Sequence, residues 1–280
     1  MLPGDDVLAN RADNLSRLPA QGYGARMTED DLLLAQRLAD AAGAAIRPYF
    51  RAPLAIEHKA DASPVTRADR AAEGAMRAIL EAERPGDGIV GEEYGTMREG
   101  AERVWVLDPI DGTRSFIAGR AIFGTLIALL EGGRPVLGLI DQPIVGERWI
   151  GATGRATTLN GNPARSRACP ALALAHVATT GPGYFSAQEF ARFSAVAQAA
   201  GDILWGGDCY NYALLASGHL DLVVEAGLKL YDFAALVPVV EGAGGRMCGW
   251  AGEALDASGD GRVVAMGDAA LMDEVLRHLA

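Results

Sequence analysis

The feature that most constrains this chain is an apolar run that ends on acid. Val104-Trp105-Val106-Leu107 stops at Asp108-Pro-Ile-Asp111-Gly-Thr113. Four β-branched, aromatic and aliphatic residues in a row predict a buried strand. Two carboxylates three residues apart at its end repel each other unless a cation neutralises them. Pro109 stiffens the turn, and Gly112 lets the backbone come close to a ligand. Hard oxygen donors of this kind suit magnesium, manganese or calcium rather than zinc. Taken alone, the pair reads more simply as a polar loop carrying two solvated acids.

Further acids stand at comparable places. Gly91-Glu92-Glu93 closes the short strand Ile89-Val90, and Thr66-Arg-Ala-Asp69 puts an acid at a helix start. Asp232 follows Glu225-Ala-Gly-Leu-Lys-Leu-Tyr and opens a helix predicted over 232–243, where an N-cap is its plainer role.

Around these residues the periodicity predicts a helix over 29–50, with Ala35, Leu38, Ala39, Ala42 and Ile46 on one face. Thr28 and Asp31 have the spacing of a capping box before it. A loop with Pro64 leads to a helix over 68–83, stopped by Pro85 and Gly86. The runs 122–131, 134–141 and 147–151 predict an antiparallel sheet. Strands at 174–179, 202–205, 221–225 and 263–266 then alternate with helices at 186–200, 208–218, 232–243 and 268–279, a layered α/β pattern. A soft boundary near 160–170 separates an N-terminal half, 28–165, with helices, antiparallel sheet and most of the acids, from an α/β half, 166–280, that brings Asp232 and residues 208 and 225. Residues 1–27 mix charge with Gly and Pro and are expected to be a disordered extension, with Met27 a candidate natural start.

The 25 basic and 36 acidic residues leave a formal charge of −11, which argues against nucleic acid and anionic membrane as partners. The three cysteines are odd in number and far apart, so neither a disulfide framework nor a zinc knuckle is expected, and a reducing cytoplasm is the default. No apolar run reaches the length of a membrane span. An aspartyl-phosphate phosphatase needs Asp-x-Asp, a cysteine phosphatase needs Arg six residues after its Cys, and a nucleotide loop needs Gly-x-x-x-x-Gly-Lys; all three are absent.

The combination Gly91-Glu92-Glu93, Asp108-Pro-Ile-Asp111-Gly-Thr113 and Tyr231-Asp232-Phe-Ala, followed by Glu241-Gly-Ala-Gly-Gly245, resembles the inositol monophosphatase family from about residue 29 to the C-terminus. Lys59-Ala-Asp-Ala-Ser-Pro-Val-Thr-Arg-Ala-Asp69, Phe123-Gly-Thr-Leu-Ile-Ala-Leu, Trp205-Gly-Gly-Asp208-Cys-Tyr and the stretch 218–229 are similar to its histidinol-phosphatase branch, with Leu230 where that branch usually has Pro. The resemblance implies an α/β fold of layered αβαβα sandwich type, a cleft between the halves and a homodimer. It implies two or three Mg2+ per site, with Mn2+ an alternative. Glu92, Asp108 and the Ile110 carbonyl would hold the first ion, and Asp108, Asp111 and Asp232 the second. Asp69 and Thr113 would orient the attacking water, with Glu92 sharing a third ion. Asp111 and the amides of Gly112 and Thr113 would receive phosphate, and Asp208 and Glu225 would contact the rest of the substrate.

A carboxylate at Asp208 suits a cationic substrate such as L-histidinol phosphate, although Asp208 also reads as a cap of the helix over 208–218. The activity implied is Mg2+-dependent hydrolysis of a small phosphate monoester by in-line attack of water, with lithium inhibition. Inositol 1-phosphate or a nucleotide-derived phosphate is the alternative substrate, and a non-catalytic metal or phosphate binder is the alternative of another class. His58, His176, His219 and His278 read as surface or packing residues, Trp205 and Trp250 as core, Cys209 as packed in its helix, and Gly244-Gly245 as a helix stop. Arg114 reads as a solvated charge, and Lys229 either screens the phosphate or is solvated too.

Overall fold

The computed structural model describes residues 27–52, 56–58 and 64–280, with backbone alone for 56–58 and 64–66. The expected N-terminal extension and the Lys59-to-Ser63 part of the branch motif lie outside the described residues. The first half runs α1 (Glu29–Ile46), β1 (Ile56–His58), β2 (Pro64–Thr66), α2 (Arg67–Glu83), β3 (Gly88–Gly91), β4 (Gly95–Met97), β5 (Arg103–Asp111), α3 (Thr113–Ile117), β6 (Gly124–Glu131), β7 (Arg134–Gln142), β8 (Glu147–Ala152), β9 (Arg155–Leu159) and β10 (Asn162–Pro163). The second runs β11 (His176–Thr179), α4 (Ala187–Ala199), β12 (Asp202–Trp205), α5 (Tyr210–Ala216), β13 (Leu222–Glu225), α6 (Leu230–Phe233), α7 (Leu236–Gly242), β14 (Arg246–Cys248), β15 (Val263–Met266) and α8 (Met272–Leu279).

Alternation along the strands sorts the side chains into five layers. The larger sheet has the order β10-β9-β8-β7-β6-β5-β3-β4, and the smaller β12-β11-β13-β15-β14. On β6, Ile127 and Leu129 join α1 and α2 in one core, while Leu126, Ala128 and Leu130 face α5 and α7 in another. On β13, Val223 joins that middle core, while Leu222 and Val224 pack under α4 and α8. The architecture is therefore helix pair, eight-stranded sheet, helices, five-stranded sheet, helix pair: the αβαβα sandwich. The middle helices sit so close to the larger sheet that glycine is required under them. A Cβ on Gly138 would lie 1.9 Å from the Ala235 carbonyl oxygen, and one on Gly151 2.2 Å from that of Pro238.

Several local expectations are modified. The capping box forms, with the Thr28 amide on Asp31 Oδ2 at 2.8 Å and the Asp31 amide on Thr28 Oγ1 at 3.4 Å. The helix it starts yields to a 3-10 turn at Arg47–Tyr49 rather than running to 50, because Pro48 has no N–H to continue the ladder. The single helix expected over 232–243 is two: α6 begins two residues earlier, and Pro238 deprives Ala234 of its partner where α7 takes over. The helix expected from 268 opens with a 3-10 turn at Ala269–Leu271, and that from 208 starts at Tyr210. Trp205, expected in the core, is 48% exposed on edge strand β12; Trp250 is buried. The short or edge strands β4, β9, β10 and β14 carried too few periodic residues to be predicted. No described helix is long and apolar enough to cross a membrane.

Candidate active site

β5 does not stop at Asp108 but continues through Pro109 and Ile110 to Asp111. Residues three apart on a regular strand face opposite sides of a sheet. Here the pairing with β6 slips by one residue, from Asp108 opposite Leu126 to Asp111 opposite Gly124. The extra residue restores the parity and turns both carboxylates to one side. Pro109 is suited to this place, since it has no N–H to give to the ladder, and its carbonyl accepts from the buried Thr125 hydroxyl at 2.8 Å. Gly112 then takes φ +87°, a left-handed turn into α3, and a Cβ there would lie 2.7 Å from Asp208 Oδ2.

Asp232 comes from the opposite half. It sits in the first turn of α6, where its Oδ2 accepts the Lys229 amide at 2.6 Å, so it closes the helix start from inside rather than capping it from Asp232's own N-cap position. Ligand-capable oxygens of Asp108, Asp111 and Asp232 lie within 4.8 Å of one another, and those of Asp69, Glu92 and Glu93 form a second such group. Asp111 also joins the halves directly, since its Oδ2 accepts the Cys209 amide at 2.6 Å just before α5.

The electrostatics of this cluster are costly. Burial pushes the Asp108 carboxyl well above the usual range, and the charges of Glu92, Asp111, Asp232 and Asp69 push it further. Burial likewise raises Asp111, with Asp208 and Asp232 adding to it and the Cys209 amide opposing. Burial takes Asp232 up to about 7, with the Glu92 charge adding and the Lys229 amide opposing. Asp108 Oδ1 is buried and has no hydrogen bond among the described residues. An orphaned buried carboxylate oxygen amid like charges, with hard oxygen donors around it, fits a divalent cation. The Ile110 carbonyl lies beside this group and accepts from Thr113 Oγ1 at 3.2 Å.

The cluster opens into a cleft of about 390 Å³ whose wall includes Glu92, Ile110, Gly112, Thr113, Asp208 and Glu225. Asp208 has φ +47° and accepts from Ser115 Oγ at 2.6 Å. Burial raises its carboxyl, while Ser115 and the charges of Arg120 and Arg114 oppose the rise. It does not cap α5, whose N-cap is Cys209 with no side-chain cap bond. Glu225 is buried at the end of β13 and accepts from the Thr180 amide (2.7 Å), the Thr180 hydroxyl (2.9 Å) and the Thr179 hydroxyl (3.3 Å). Burial nevertheless raises it to about 7. Arg114, stacked 5.5 Å over the Tyr184 ring, and Lys229 also line the cleft.

The acids singled out in the sequence thus converge from α2, the end of β3, β5 and α6, while Asp208 stands beside Gly112 and Asp111 and Glu225 also lines the cleft. Asp69 is buried at the start of α2 and acts on Asp108 through its charge. Ser115, Tyr184 and the Glu73–Arg77 pair were not anticipated, and Glu93 was singled out only as part of the Gly91-Glu92-Glu93 motif. Glu73 had a signal: Asp69, Glu73 and Arg77 recur at four-residue spacing on the otherwise apolar face of α2.

A model of the inositol monophosphatase family matches residues 28–280. The chain is 52% identical over 251 residues to the chloroplastic bifunctional phosphatase IMPL2 of Arabidopsis thaliana, covering 86% of this chain and 72% of the relative. It is 38% identical over 260 residues to the histidinol-phosphatase of Mycobacterium tuberculosis, covering 90% and 99%. A solved structure of an inositol monophosphatase from Zymomonas mobilis superposes with a TM-score of 0.84 at 58% identity, covering 91% of this chain and 99% of that one.

Proposed function

Because the chain belongs to the inositol monophosphatase family, and so is a metal-dependent phosphomonoester hydrolase, we propose that it is a Mg2+-dependent histidinol-phosphatase, releasing L-histidinol and phosphate. The observation that carries the metal part is the convergence of Asp108, Asp111 and Asp232 to within 4.8 Å around the orphaned Asp108 oxygen. Glu92, Asp108, Asp111, Asp232 and the Ile110 carbonyl would hold two or three Mg2+, with Mn2+ able to replace them. Bound divalent cations supply Lewis acidity, lowering the pKa of water and offsetting phosphate charge.

The chain's own groups do the rest. Asp69 and Thr113 orient the attacking water, and the Asp69 carboxylate takes up its proton. Thr113 has its hydroxyl on the Ile110 carbonyl, 3.2 Å away, in position to turn toward a water. Asp111 and the amides of Gly112 and Thr113 meet the phosphate. The Gly112 turn brings those amides to the cleft without a side chain in the way. Asp208 and Glu225 face the leaving alcohol and favour one with positive charge. Relatives named histidinol-phosphatase support this choice.

A second reading is inositol 1-phosphate as substrate. It is favoured by the charges of Arg114 and Arg120 acting on Asp208, which weaken its pull on a cation, and by the likeness to the inositol monophosphatase of Zymomonas mobilis. A homodimer is proposed as well, with Leu204 and Trp205 leaving apolar surface exposed on edge strand β12. Buried, unpaired Cys169, Cys209 and Cys248 accord with a reducing compartment.

The deciding experiment is phosphate release from L-histidinol phosphate and from inositol 1-phosphate, side by side, with Mg2+ and with chelator. Mg2+-dependent turnover of the first alone is expected. Comparable turnover of the second would sink the narrow assignment, and turnover in chelator would sink the metal reading.

A further inference from the structure

Helix α2 buries charge where a core helix would bury only apolar side chains. Glu73 is 0% exposed and Arg77 7%, four residues apart beside Met76 and Leu80. The Arg77 Nε donates to Glu73 Oε1 at 2.7 Å. The Glu93 amide donates to Glu73 Oε2 at 2.7 Å, and the Tyr94 amide to Oε1 at 3.2 Å. Arg77 also donates to the Gly95 carbonyl, and its guanidinium lies 6.0 Å over the Tyr94 ring. On the other side of the same turn, the Glu92 amide donates to the Leu107 carbonyl, next to Asp108, at 3.3 Å. Gly91 has no room for a side chain, since a Cβ would lie 2.0 Å from Glu73 Oε1.

We propose that Glu73, seated by Arg77, is a positioning residue for the cation site: it fastens the 91–94 turn and so holds Glu92 against Asp108. This rests on the reading of Glu92 as a cation ligand. A buried ion pair is a poor stabiliser, because desolvation offsets its Coulomb attraction. A hydrophobic pair would fill the same space but would leave two turn amides without acceptors. What the pair does supply is resistance to displacement. Glu92 repels Asp108 and Asp232, which its charge reaches, and a free turn would relax outward to relieve that repulsion. Fastened on both sides, the ligand waits in place, and ion binding does not have to order it. Asp69 is on the same face of α2 one turn before Glu73, so one helix sets the spacing between the water-orienting acid and the ligand turn.

The test is Mn2+ affinity, measured by titration calorimetry on the full chain without substrate. Glu73→Gln replaces one acceptor oxygen by a donor facing donors. Gly91→Ala displaces the carboxylate while leaving both charges in place, and it carries the test if Glu73→Gln does not fold. Leu38→Ala, buried in α1 and part of neither α2 nor the turn, controls for general loss of stability. At least fivefold weaker Mn2+ binding is expected in the first two variants and less than twofold in Leu38→Ala, with KM for substrate at saturating Mn2+ moving less than the metal constant. A smaller loss, or an equal loss in Leu38→Ala, would overturn the proposal. A wild-type chain that binds Mn2+ but hydrolyses neither phosphate ester would instead overturn the substrate reading, leaving the affinity comparison valid.

Discussion

Replacing Asp232 by Asn should stabilise the metal-free protein and weaken its response to metal. Asp232 is moved from its ordinary 3.8 to about 7, chiefly by burial and then by the Glu92 charge. A carboxyl whose folded value is raised destabilises the fold as pH climbs from its unfolded value to its folded one. At 1.36 kcal/mol per pH unit, that interval corresponds to roughly 4 kcal/mol at neutral pH. The cleft gives solvent a face of this carboxyl, so about 2 kcal/mol is the expected gain for the neutral amide. For a chain of this size that is about 4 °C in Tm. Coulomb's law gives the same order: two unit charges 4.8 Å apart, the limit of the Asp108, Asp111 and Asp232 group, repel by roughly 3 kcal/mol at an effective dielectric of 20. The assay is thermal unfolding in chelator and in Mg2+ from pH 5 to pH 8. Wild type in chelator should lose stability as pH rises toward 7 and recover it with Mg2+. The Asn variant should lose less stability than wild type over this range, since Asp108, Asp111 and Glu225 keep their raised carboxyls, and it should be more stable in chelator and gain less from Mg2+. An Asn variant no more stable than wild type in chelator would refute the repulsion argument, and an unchanged Mg2+ shift would refute the metal assignment.

Asp221 gives the opposite pH sign. Burial alone would raise its carboxyl, but bonds from Arg167 Nε (2.7 Å), Arg167 Nη2 (2.6 Å) and the His176 amide (2.8 Å) hold it below the ordinary value. Its contribution is present above about pH 4 and lost as pH falls through the folded value. Asp221→Asn should therefore cost roughly 1–2 kcal/mol at neutral pH, discounted because Arg167 is partly in solvent, and should flatten the acid limb of urea midpoints. Gly151→Ala should cost about 3 kcal/mol or more by urea unfolding, because the new methyl meets the Pro238 backbone rather than a side chain that can swing away. If Asp208 selects a cationic alcohol, Asp208→Asn should raise KM for histidinol phosphate about tenfold, roughly 1.4 kcal/mol, and leave inositol 1-phosphate within twofold. Equal shifts for both substrates would reduce Asp208 to its bond with Ser115.

Much of the molecule was legible in the chain itself because its signals are local. The capping box at Thr28 and Asp31, the period of α1 and α2, and the alternation through β6 to β8 each lie within a few residues. The acids Glu92, Asp108, Asp111 and Asp232 could be singled out because each interrupts or opens an apolar element. Where local reading failed, a contact between distant residues had decided the matter. Trp205 looked like core because nothing in its own neighbourhood says that β12 is an edge strand. The single helix expected over 232–243 overlooked Pro238, where the structure splits it, and the seat of α7 on Gly138 and Gly151 had no local signal at all.

The sequence by itself determined which side chains are available for metal chemistry and the order of elements that carries them. Only the tertiary structure decided that they meet. The one-residue slip against β6 turns Asp108 and Asp111 to the same side. The glycine-lined seat of α7 helps bring Asp232 across from the other half, and Glu73 reaches 20 residues along the chain to hold the Glu93 amide. Period and composition constrain a residue's immediate backbone, whereas register, layer spacing and long-range hydrogen bonds exist only once the sheets have paired and packed.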